Sequence, residues 1–73
     1  MKIVNIKENE NAFEDIKYPC LMKSVVSGTI MLFTKHGEGI VIKSSHNEEG
    51  EFDKDWCMDS FKLFKGSVTI END

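Results

Sequence analysis

The stretch Thr29–Lys43, TIMLFTKHGEGIVIK, decides the fold. Thr29 to Lys35 holds a continuous apolar run, Ile30-Met31-Leu32-Phe33, rich in residues that suit a pleated surface. Continuity rather than alternation predicts a strand buried on both faces, at the centre of a sheet. His36-Gly37-Glu38-Gly39 follows, with two glycines able to adopt positive φ, and predicts a tight turn. Ile40 to Lys43 is then the returning strand.

Outward from this hairpin, the same signals recur at short intervals. Upstream, Pro19 forces Tyr18 into an extended conformation. Cys20 to Ser24 reads as a strand with Cys20 and Met22 on one face and Leu21 and Lys23 on the other. Ser27-Gly28 separates it from the hairpin. Lys2 to Ile6 suits a short edge strand, Glu8 to Asn11 a solvated connector, and Ala12 to Ile16 a helical turn with Phe13 and Ile16 on one side. Downstream, Ser44 to Gly50 (SSHNEEG) is a polar loop, and Glu51 to Ser60 suits a short strand followed by a helical turn. Phe61, Leu63 and Phe64 precede a Lys65-Gly66 turn, and Ser67 to Glu71 alternates cleanly with Val68 and Ile70 inward.

Short strands with glycine turns at this spacing predict a mainly β fold of four to six antiparallel strands with at most one short helical turn. A small, strongly bent barrel of SH3-like or OB-like form would limit the number of open edges. Ile30, Leu32, Ile40, Ile42, Val68 and Ile70 are the expected core.

The chain has 73 residues, enough for one domain spanning 1–73. A domain of this size buries only about 60% of the surface its unfolded chain exposes. A thin core favours self-association, with a symmetric dimer the simplest form, and Ser67 to Glu71 and Lys2 to Ile6 as the contact elements. Hydrophobic residues at 40% and charged residues at 30% are a globular composition. The net charge of −4 opposes a nucleic-acid backbone, and all nine basic residues are Lys. With no Arg there is no planar fork to grip phosphate or guanine in bidentate fashion. Nucleic acid is therefore not the expected partner. The absence of Arg and Gln beside abundant Lys, Asn and Ile matches the coding bias of an AT-rich genome. No signal peptide is seen at the N-terminus, and no apolar run is long enough to span a bilayer. The expected setting is the cytoplasm, away from any membrane, with Cys20 and Cys57 reduced.

From Tyr18 to Asn72 the chain resembles small accessory proteins of phages and prophages of low-GC Gram-positive bacteria. The resemblance rests on YPCLMKS, SGTIMLFTKHGEGIVI, the downstream Trp56 and the closing FKLFKGSVTIEN. These motifs are structural: a proline lead-in, a glycine-turn hairpin and an aromatic cluster before a last strand. The resemblance implies a viral protein acting in the host cytoplasm, and it brings no active site with it. Proteins of this kind commonly inhibit host machinery or host defence.

Several residue groups suggest a chemistry that a plainer reading explains. Cys20, His36, His46 and Cys57 are zinc-type ligands, but no two lie within four positions of each other, unlike the close pairs of structural zinc sites. Two small apolar thiols and two loop histidines explain them better, so no metal is expected. A Cys/His nucleophile pair lacks an orienting third residue and an oxyanion signature. The HGEG turn lacks the helix and the Lys-Ser/Thr pair of a phosphate-binding loop. Asp53 and Asp55 alternate as in a calcium loop, but the glycine and the bidentate Glu that would follow are missing.

The acidic run carries the sharper expectation. Glu48, Glu49, Glu51, Asp53, Asp55 and Asp59 place six of the thirteen acids within residues 48–59. The plain explanation is a solvated loop. The functional one is an acidic face that mimics nucleic acid or meets a basic host surface, with Trp56 as the candidate binding hot spot. Trp56, Phe52, Phe61 and Phe64 read mostly as packing residues, with one or two of them exposed. The expected function is thus a non-enzymatic, cofactor-free phage accessory protein that inhibits a host protein or a host defence system. The alternatives are an oligomeric sponge for a nucleotide signal, held by Lys and backbone N–H groups, and a structural component of a phage.

Overall fold

A computed structural model of the chain describes residues 2–8, 16–44 and 49–73. Among them are seven strands: β1 Lys2–Glu8, β2 Cys20–Ser24, β3 Ile30–Lys35, β4 Glu38–Lys43, β5 Phe52–Asp53, β6 Phe61–Leu63 and β7 Gly66–Glu71. One 3-10 turn, Met58–Ser60, precedes β6. The mainly β expectation holds, and the strand number exceeds the expected four to six. The short strand expected within Glu51 to Ser60 is β5, and the one strand not expected is β6, whose three residues carry too little pattern to stand out in a sequence. The expected helical turn at Ala12 to Ile16 lies largely outside the described residues.

The strands form two antiparallel sheets. One has five strands in the order β5-β4-β3-β2-β6, and the other is a β1-β7 ribbon. Among the described residues these pairings form two separate sheets, and the barrel that edge economy suggested is not shown. As the unbroken apolar run required, β3 is central, flanked by β2 and β4. Its Met31 and Phe33 are fully buried and Ile30 nearly so.

Alternation divides β3 and its neighbours into two apolar faces. On one, Met22, Met31, Phe33 and Val41 form a fully buried cluster, with Cys20, Trp56, Met58 and Phe61 packed against it. On the other, Ile30, Ile42 and Phe64 cluster under Ile3, Ile6, Leu21, Leu32 and Val68. The ribbon therefore covers one face of the large sheet, and the segment from Trp56 to Phe61 covers the other. A register shift near Ile30 and Met31 leaves Ile42 without a counterpart on β3, and by the alternation of β4 Val41 and Ile42 join different clusters.

The hairpin turn is shorter than HGEG suggested. Lys35 already pairs with Glu38, which leaves His36-Gly37 as the loop, with Gly37 at φ +81°. Gly39 lies inside β4 opposite Phe33, and space rather than turn geometry demands it. A Cβ there would sit 2.7 Å from Phe33 Cδ1 and 2.9 Å from the Leu32 carbonyl oxygen. The bare glycine lets the Phe33 ring lie flat across the neighbouring strand. Gly66, at the start of β7, has a similar reason, since a Cβ would collide with the Lys7 backbone of β1.

The turn between β2 and β3 is closed by hydroxyl groups. Ser24 Oγ, in a buried residue, accepts from the Val26 and Ser27 N–H groups, each at 3.2 Å. Thr29 Oγ1 bridges Ser27 Oγ at 2.9 Å and Ser44 Oγ at 3.1 Å. The ribbon is tied to β2 by a 3.1 Å ion pair between Lys23 Nζ and Glu8 Oε1, both about a third exposed. At that exposure the pair contributes about 0–1 kcal/mol, so the apolar contacts of Ile3, Ile6 and Val68 are what seat the ribbon.

Five of the six expected core residues are buried or half-buried. Ile70 is the exception at 45% exposed, although it shares the inward face with Val68.

Candidate functional site

Residues 49–59 run along the β4 edge of the large sheet and then fold beneath it. Backbone bonds fix the path. Gly50 N–H donates to the Val41 carbonyl, and Val41 N–H donates back to the Glu51 carbonyl at 2.9 Å. Ile40 and Gly39 then pair with Phe52 and Asp53. Beyond β5, Asp53 Oδ1 accepts the Lys54 N–H at 2.6 Å and the Asp55 N–H at 3.2 Å. An Asp side chain that bonds the backbone just ahead of it turns the chain sharply. The turn brings Trp56 N–H within 3.1 Å of the Gly37 carbonyl.

Trp56 is the hinge of this arrangement. Its indole Nε1–H donates to the Gly39 carbonyl at 3.0 Å, while its rings meet Phe61 edge to face at a centroid distance of 6.4 Å. Phe61 in turn meets Phe33 edge to face at 5.1 Å. This aromatic chain links the acidic segment to the centre of the core. Trp56 is half-buried and its polar atom is satisfied, so it works first as a fastener.

The acids face the other way. Glu49, Glu51, Asp53, Asp55 and Asp59 are all exposed, as is Lys54 among them. Glu48, also expected in this set, lies outside the described residues, as does His46. Phe52, read with the other aromatics as mostly packing, is 49% exposed. It pairs with Ile40 while Asp53 pairs with Gly39, so its ring and the Asp53 carboxylate leave β5 on opposite faces. Its place in an edge strand of two residues explains the exposure, because among the described residues no strand lies beyond β5 to cover it. Sequence reasoning placed the candidate hot spot at Trp56. The sequence signal for Phe52 was its position within the alternation Glu51-Phe52-Asp53, flanked by charge on both sides.

The two thiols differ in setting. Cys20 is half-buried against the Met22–Phe33 cluster, and that burial raises its pKa above the ordinary thiol value. Cys57 is exposed, and both are free. Among the described residues no three His, Cys, Asp or Glu side chains are grouped to hold a metal ion. Among them, too, no helix is long and apolar enough to cross a membrane.

Compared with protein-family models, curated proteins and solved structures, the chain matches none.

Proposed function

We propose that the protein is a non-catalytic binding module that docks a basic protein surface through residues 49–59, in keeping with an accessory inhibitor of a host protein. The observation that supports this reading most is the combination of charge with fixed backbone. Five acids stand exposed on a segment whose backbone and Asp53 side chain are hydrogen-bonded along its length. A solvated loop has no need of such anchoring, whereas a preorganised face loses little entropy on binding. Phe52 adds an exposed apolar contact at the same sheet edge, and the acids supply the charge that guides a basic partner into place.

The test is an affinity column carrying the wild-type chain beside one carrying Glu49→Gln, Glu51→Gln, Asp53→Asn and Asp55→Asn. Both are loaded with lysate of a low-GC Gram-positive bacterium at low salt. The expected result is a basic protein retained by the wild type alone, with an association rate that falls as salt rises. Equal retention and equal rates on both columns would refute the reading.

A further inference from the structure

The fold treats its sheet edges unequally. At the ends of the large sheet, β5 has two residues and β6 has three, with Lys62 in the middle of β6. On the ribbon, the edge of β1 carries Lys2 and Lys7, and its register slips at Val4, which has no counterpart on β7. Short length, lysines and irregular register are the ordinary devices that stop strands from pairing with other chains. The remaining edge belongs to β7, and it has none of them. GSVTIE is six residues long, regular, and free of Lys and Pro. Among the described residues its only strand partner is β1.

We propose that β7 is the dimerisation edge: two copies pair antiparallel along β7, about a two-fold axis at Thr69. The register is self-complementary. Thr69 faces the partner's Thr69, Val68 faces the partner's Ile70, and Ser67 faces the partner's Glu71. No charge then opposes a like charge, and Thr–Thr and β-branched pairs are favourable neighbours across strands. Ile70 supplies the independent reason. It lies on the inward face with Val68, opposite Ile3, and yet is 45% exposed. In the paired arrangement the partner's Val68 lies directly across from Ile70 and covers that surface. The product is a four-stranded sheet with two β1 strands outside and two β7 strands inside. It replaces a ribbon whose two strands are marginal on their own. The acidic segment packs on the opposite face of the large sheet from the ribbon, so each copy keeps its own acidic face.

Cross-linking tests the register directly. Residues facing each other across an antiparallel pair have Cα atoms about 4.5–5.5 Å apart, within disulfide reach. In a Cys57→Ser background, Thr69→Cys is expected to give a covalent dimer on mild oxidation. Ser67→Cys is expected to give none, because the two copies of residue 67 would lie about 13 Å apart along the strand. Sedimentation of the wild type should show twice the chain mass of 8.3 kDa. Thr69→Lys, which sets two ammonium groups face to face, should return a folded monomer. A wild-type monomer at high micromolar concentration overturns the proposal, as does equal cross-linking at 67 and 69. A folded Thr69→Lys variant that remains dimeric overturns it too. Should Thr69→Lys not fold, the cross-linking pair decides alone.

Discussion

Trp56 and Gly39 meet at one bond, a 3.0 Å hydrogen bond from the indole Nε1–H to the Gly39 carbonyl, on a residue whose missing side chain makes room for Phe33. One glycine thus receives the ring of Phe33 from the neighbouring strand and the indole of Trp56 from the acidic segment. Trp56→Phe keeps most of the packing and removes the donor. It should cost about 0.5–1.5 kcal/mol, the net worth of one such bond. Trp56→Ala also empties the contact with Phe61 and should cost about 3–5 kcal/mol. Chemical denaturation of the two variants checks the order.

Gly39→Ala should destabilise the fold although alanine is small and Gly39 needs no positive φ. The added methyl meets Phe33 and the Leu32 carbonyl at under 3 Å, and strain of this kind costs about 1–3 kcal/mol. Gly50→Ala meets no neighbouring atom, but Gly50 has φ +91°, so its cost comes from the backbone alone. Restoring space with Phe33→Leu should recover part of the loss in Gly39→Ala and none in Gly50→Ala. A double-mutant cycle measures this.

The thiols should separate on alkylation. Exposed Cys57 is expected to react with iodoacetamide well before Cys20, which packs against the core and whose thiolate is disfavoured by burial. Peptide mass mapping over a time course checks it. Because the Cys20 pKa is raised in the folded state, its contribution to stability is complete below the unfolded thiol pKa. It is lost as pH rises from there through the higher folded value. Cys20→Ser should flatten that alkaline decline.

Phe52→Ser should leave stability within about 0.5 kcal/mol of wild type, since the ring is half-exposed at a sheet edge. If Phe52 is an apolar contact for the partner, the same change should speed dissociation from it. The charge-neutralised variant should instead slow association. Stopped-flow or surface-binding kinetics on the two variants distinguishes the roles.

The hairpin was legible because its signals are local. An unbroken apolar run, a glycine turn and a β-branched return strand specify a buried β3–β4 pair whatever surrounds them, and the period of two placed Cys20 with Met22 and Leu21 opposite. The acidic cluster was equally plain, since charge density is a property of sequence and exposure follows from solvation. Tertiary structure decided the rest. β6 is a strand because β2 offers it hydrogen bonds, and three residues have no periodicity of their own. Gly39 looked like a turn residue until the pairing set it opposite Phe33. Phe52 rather than Trp56 is the more exposed aromatic because the Asp53 turn carries Trp56 under the sheet and leaves Phe52 at an edge with no further strand among the described residues. Ile70 carries the inward pattern of a core residue. Its exposure is a matter of packing between elements, which alternation along one strand does not encode.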